Sequence, residues 1–119
     1  MRIGVIADVH GHAAALRAVL AALSPRTDRI VCLGDLTDGA GEDEACVTEA
    51  RTRDLPAVLG RHDRRTLERG GPGLSPESRA WLAALPRMRA VEGLHLVHDN
   101  PIAPAGLARG MWRAGTFVR

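Results

Sequence analysis

The sequence predicts an α/β fold with a mainly parallel first sheet, and three observations carry that prediction. Short runs rich in Ile and Val at 2–7, 29–33 and 57–59 have the length and composition of buried strands. Between them lie segments whose apolar residues recur at helical spacing, and alternating strands and helices favour parallel pairing with helices packed on the sheet. A carboxylate, imidazole or guanidinium follows each predicted strand within two residues (Asp8, Asp35, Arg61 and His98), so four loops open on the carboxyl edge where such sheets bind ligands.

The elements follow in order. Arg2–Ala7 reads as the first strand. Ala13–Leu23 carries Leu16, Val19, Leu20 and Leu23 on one helical face, and Ser24-Pro25 stops it. Arg29–Leu33 is the second strand. Glu42–Arg53 is a helix whose first turn holds Glu42, Asp43 and Glu44, suited to the positive end of the helix dipole. Pro56 precedes a third strand, Ala57–Leu59, and Arg64–Arg69 reads as one or two helical turns. After the Gly70–Gly73 loop, Ser75 as N-cap and Pro76 at the first helical position open a helix through Ala84. Arg87–Val91 and Leu94–Val97 flank Glu92-Gly93 as a hairpin. Beyond Pro101 only Thr116-Phe117-Val118 reads as a strand, so 1–119 is one domain with a divergent tail at 102–119.

Composition narrows the function. A chain of 119 residues buries roughly 65–70% of its unfolded surface, enough for one core. All 16 basic residues are Arg, but they are scattered and reflect base composition rather than a basic patch. The net charge of +2 and the few aromatics (Trp81, Trp112, Phe117) give no strong nucleic-acid signal. Cys32 and Cys46 form no Cys-x-x-Cys pair and read as reduced, buried hydrophobes. No apolar stretch reaches membrane-spanning length, and the chain opens directly on a strand, so the expected setting is cytoplasmic.

Phosphate ester hydrolysis needs the side chains gathered at this edge. The ester is anionic and repels hydroxide, and divalent cations held by carboxylates and imidazoles offset that charge. Asp35 is the candidate bridging carboxylate, Asp8 and His10 candidates for one ion, and His98 for the second. His62 is placed to donate a proton or hydrogen bond to phosphate, and Asp63 to orient it. His12 reads as a solvent-facing helix start, or else as a fourth nitrogen for one metal or a phosphate contact, and His95 lies on the opposite strand face from His98. Asp38 reads as shaping its loop or pairing with an Arg, and Asp99 as a turn residue. Gly39–Glu42 lacks the Lys of a phosphate loop.

Asp8-Val9-His10-Gly11, Gly34-Asp35-Leu36, Gly60-Arg61-His62-Asp63 and Val97-His98, in this order, resemble the signature of the calcineurin-like metallophosphoesterases. The opening strand, Cys32–Leu36, and Trp81-Leu82 with Leu85-Pro86 are similar to its small prokaryotic phosphodiesterases. The resemblance spans 1–101. It implies a four-layer α/β/β/α sandwich and a site for one or two divalent ions (Mn, Fe, Zn or Ni). Asp8, His10 and Asp35 then match ligands of the first metal, Asp35 and His98 ligands of the second, and His62 the catalytic histidine. The implied substrate is a phosphomonoester or phosphodiester, a small molecule or nucleotide.

Two departures stand against the pattern. Arg61 replaces an Asn ligand and has five donors and no acceptor. No histidine follows His98, so the closing Gly-His-x-His motif is missing and the four-layer sandwich is expected to be incomplete. The expectation is a phosphoesterase with an impaired second metal site, in which Arg61 substitutes for a cation as a catalytic residue. The alternative is an inactive phosphate- or metal-binding pseudoenzyme with a regulatory or scaffolding role, or a structural remnant. The open edge of a shortened second sheet invites a homo-oligomer.

Overall fold

The computed structural model describes residues 1–39 and 41–99. Strand β1 (Ile3–Ile6) leads into helix α1 (Ala13–Leu23), and a 3-10 turn, Ser24–Arg26, leads into β2 (Arg29–Cys32). Helices α2 (Asp43–Thr52), α3 (Arg61–Glu68) and α4 (Pro76–Ala83) follow, then strands β3 (Met88–Val91) and β4 (Leu94–Val97). The strand proposed at 116–118 lies outside the described residues.

β1 and β2 pair in parallel, with Val5 opposite Val31 and Ile6 opposite Cys32. The expected third strand is reduced to one parallel bridge between Cys32 and Ala57. Cys32 N–H donates to the Pro56 carbonyl at 2.9 Å and the Cys32 carbonyl accepts from Val58 N–H at 3.1 Å, after which Leu59 N–H turns to the Pro86 carbonyl. Pro56 has no N–H to extend the ladder backwards, so pairing stops within a few residues.

Side-chain alternation divides the core. Ile6, Cys32 and Ala57 face Leu16 and Leu20 of α1 and Cys46 and Ala50 of α2. Val31 and Val58 point the other way and pack with Val91 and Leu96 of the β3–β4 hairpin. Helices, parallel sheet and hairpin are thus three layers, with α4 packed through Leu82 against Val47 of α2. No fourth layer occurs among the described residues. Val19, expected on the apolar face of α1, is 43% exposed because no described element covers it. Ser75 Oγ accepts Ser78 N–H at 3.1 Å, the cap expected for α4. Glu92 and Gly93 both take positive φ (50° and 79°), the backbone a two-residue hairpin turn demands. No helix among the described residues is long and apolar enough to cross a membrane.

The helix at 61–68 starts three residues before the expected Arg64. Gly60 is its N-cap, and Asp63 Oδ2 accepts the Gly60 N–H at 2.9 Å. Arg61, His62 and Asp63 therefore form a first helical turn rather than a loop, and the N-terminus of α3 is aimed at the loop after β2.

Candidate metal centre

The loops after β1 and β2 are zipped together. Asp8 N–H donates to the Gly34 carbonyl (3.0 Å), His10 N–H to Asp35 (2.9 Å) and Gly11 N–H to Leu36 (2.9 Å). Asp8, His10 and Asp35 hold left-handed backbone, with φ of 58°, 50° and 59°. A non-glycine residue gives up about 1–2 kcal/mol there. Three such residues in one cluster mark a site whose geometry the surrounding fold enforces.

Gly34 and Gly60 let the two parts touch. A Cβ on Gly34 would lie 2.6 Å from Gly60 N, and a Cβ on Gly60 would collide with the Asp35 carboxylate. Asp35 Oδ1 accepts His62 N–H at 2.9 Å from the first turn of α3, where the helix dipole favours a negative charge.

Three imidazoles surround Asp35 Oδ2: His62 Nδ1 at 2.9 Å, His98 Nε2 at 3.2 Å and His10 Nε2 at 3.6 Å. His10 Nε2 is also 3.7 Å from Asp8 Oδ1. Ligand-type atoms of His10, Asp35 and His62 lie within 4.8 Å of one another, as do those of Asp8, Asp35 and His98. Asp35 belongs to both sets, the position of a bridging carboxylate. His98 is fixed from behind by its Nδ1, 2.8 Å from the Leu33 carbonyl, which leaves Nε2 for the site. Such backbone anchoring of the far nitrogen is common for metal-binding imidazoles.

Burial alone would raise the Asp35 pKa. Hydrogen bonds from the His98 ring and from the backbone and ring of His62 outweigh it and hold the carboxyl well below the usual range. The same contact with Asp35, opposed by desolvation and helped by the Leu33 carbonyl, pushes His98 up to about 9. His10 Nδ1 is buried without a hydrogen-bond partner. Oxygen and imidazole donors converging on a buried carboxylate fit a divalent cation of the Mn, Fe, Zn or Ni type. Cys32 and Cys46 take no part: both are free and buried, and burial pushes their thiols up to about 12 and about 11.

The sequence pattern of the calcineurin-like phosphoesterase superfamily domain matches residues 1–111. The chain belongs to this superfamily. A metallophosphoesterase from Sphaerobacter thermophilus has a similar structure, with TM-score 0.76 and 29% identity over 87% of this chain and 48% of that one. A crystal structure of "a putative diadenosine tetraphosphatase" is similar in fold, with TM-score 0.74 and 23% identity over 88% of this chain and 54% of that one. The chain thus spans about half the length of each. No curated protein matches it.

Three residues of this calcineurin-like domain stand differently from expectation. The Asp63 carboxylate is fully buried and occupied by backbone and hydroxyl donors: Asp35 N–H (2.8 Å), Gly60 N–H (2.9 Å), Thr37 N–H and Thr37 Oγ1 (3.0 Å each). It organises the Asp35 loop and the start of α3 and does not orient the His62 ring, because its oxygens face away into the protein. The carboxylate beside that ring is Asp38, with Oδ1 3.7 Å from His62 Nε2 and Oδ2 3.7 Å from His10 Nδ1. The sequence reading of Asp38 is a residue that shapes its loop or pairs with an Arg, whereas it faces two imidazoles. Shaping the loop falls to Asp43, which accepts Asp38 N–H (3.1 Å) and Gly39 N–H (2.7 Å). The Arg61 guanidinium turns to the rim, where it is 3.4 Å from Asp99 Oδ1. His12 and His95 are exposed and contribute to neither ligand set.

Proposed function

We propose that the chain is a metal-dependent phosphoesterase acting on phosphomonoesters or phosphodiesters, small molecules or nucleotides. The observation that carries the reading is the buried Asp35 carboxylate among three imidazoles at the carboxyl edge of the sheet. Asp8, His10 and Asp35 would hold a first cation, and Asp35 with His98 a second, more weakly held one. A bound cation supplies Lewis acidity toward phosphate oxygens. Arg61, a fixed cation at the rim, binds a phosphate oxygen in the region where an Asn ligand would serve the second metal. His62, whose Nε2 faces Asp38, donates a proton or hydrogen bond toward the ester oxygen as it leaves. Asp38, with Oδ1 3.7 Å from His62 Nε2, positions the imidazole. Self-association through an edge of the second sheet, β3–β4, belongs to the same proposal.

A second reading, a pseudoenzyme that binds metal or phosphate without turnover, is favoured by Arg61 in place of a neutral ligand. Elemental analysis beside hydrolysis of bis-p-nitrophenyl phosphate and p-nitrophenyl phosphate with added manganese separates the two. The phosphoesterase reading expects bound metal and turnover, both lost in Asp35→Ala. Bound metal without turnover favours the pseudoenzyme, and absence of both rejects the site.

A further inference from the structure

Arg61 and Asp99 form an ion pair across the rim, and both ends are pinned by neighbours that touch Asp35. His62, next to Arg61, donates its N–H to Asp35 Oδ1 at 2.9 Å. His98, just before Asp99, sits 3.2 Å from Asp35 Oδ2 and is held by the Leu33 carbonyl. The pair therefore sits at the rim beside the Asp35 carboxylate.

The contact is weak. One guanidinium nitrogen lies 3.4 Å from one carboxylate oxygen, and the Asp99 side chain is 48% exposed. A planar guanidinium binds carboxylates and phosphates best through two parallel N–H bonds. A single long contact leaves most of the Arg61 donors for a better acceptor. Asp99 and a phosphate oxygen also carry the same sign of charge, so both cannot occupy the guanidinium without repulsion.

We infer that Asp99 is a built-in competitor for phosphate: its carboxylate parks Arg61 at the rim until the phosphate of a substrate displaces it. Asp99 thereby sets how much phosphate the site needs before it fills. The inference rests on the reading of Arg61 as phosphate anchor. It makes Asp99 a positioning residue that acts through Arg61 and touches no reacting atom.

Calorimetric titration of the manganese-loaded full chain with inorganic phosphate tests this in four proteins: the parent, Asp99→Asn, Arg61→Ala and the double variant. Asp99→Asn is expected to tighten phosphate binding about two- to fivefold, the range of an exposed ion pair. In the Arg61→Ala background the same change is expected to do nothing. Manganese affinity, titrated separately, is expected to be equal in the parent and Asp99→Asn. Weakened phosphate binding in Arg61→Ala with no gain in Asp99→Asn overturns the competitor and leaves the anchor standing. Unaltered phosphate binding in Arg61→Ala overturns the anchor itself. A fall in manganese affinity in Asp99→Asn makes Asp99 a ligand and overturns the inference. Asp99→Ser repeats the comparison should Asp99→Asn fold poorly.

Discussion

The half of the rim built by β1 and β2 holds Asp8, His10 and Asp35 on left-handed backbone, locked by three hydrogen bonds between the two loops. The half built by α3 and β4 is different. His62 and Arg61 ride on the first turn of a helix, and His98 follows a hairpin strand anchored by one ring nitrogen. The first half carries backbone strain, a residue-by-residue cost kept only where the fold enforces the geometry. The second half is cheaply made and carries a departure from the family pattern at Arg61. Ligand geometry is most rigid where two parallel strands deliver it. It is most open to substitution where a helix start and a hairpin approach from outside.

Asp63 joins the two halves, and its removal is the largest test of the comparison. Asp63→Ala leaves the N–H groups of Asp35, Thr37 and Gly60 buried without an acceptor. A buried unsatisfied group costs about 1–3 kcal/mol. The variant is expected to lose about 3 kcal/mol or more of unfolding free energy and to lose metal binding with it, measured by denaturant melts and metal titration. Loss of metal with stability unchanged would mean that Asp63 serves the site directly.

The second test uses pH. His98 has its pKa raised from 6.5 to about 9, so in the metal-free protein its pairing with Asp35 stabilises the fold fully below pH 6.5 and is lost as pH rises toward 9. Asp35, lowered from 3.8, contributes above that value and loses its contribution as pH falls through its folded pKa. Metal-free stability is therefore expected to be greatest between these limits and to decline from pH 6.5 to 9. A cation must displace the His98 proton, so metal affinity is expected to rise over that range by about tenfold per unit, with one proton released per ion. Thermal melts and calorimetry in buffers of different ionisation enthalpy measure both trends. A metal affinity indifferent to pH would remove His98 from the ligand set.

The smallest expected effect comes from Arg61→Asn, which restores a neutral oxygen donor to the second half. Metal content is expected to rise toward two ions per chain, with little change in melting temperature. Unchanged stoichiometry by elemental analysis would show that Arg61 does not control the second position.

Strands β1 to β4, α1 to the residue, the capped α4, the hairpin turn and the loops after β1, β2 and β4 were legible in the sequence. Each depends on local physics: apolar periodicity, a Ser-Pro cap, a glycine free to take positive φ. The sequence also placed Asp8, Asp35 and His98 correctly at one edge, since alternating strands and helices leave few other topologies. Only the tertiary structure decided how the carboxylates divide their work. Asp38, Asp43 and Asp63 lie in similar polar stretches, yet one faces two imidazoles, one holds a loop and one is sealed inside. A helix signal was present at Gly60 and Asp63, an N-cap with an acidic residue three later, but the neighbouring His and Arg read equally well as loop ligands. Which donors reach a carboxylate depends on backbone brought from 26 to 28 residues away, as for the Asp63 bonds to Thr37 and Asp35, and no local pattern encodes that distance.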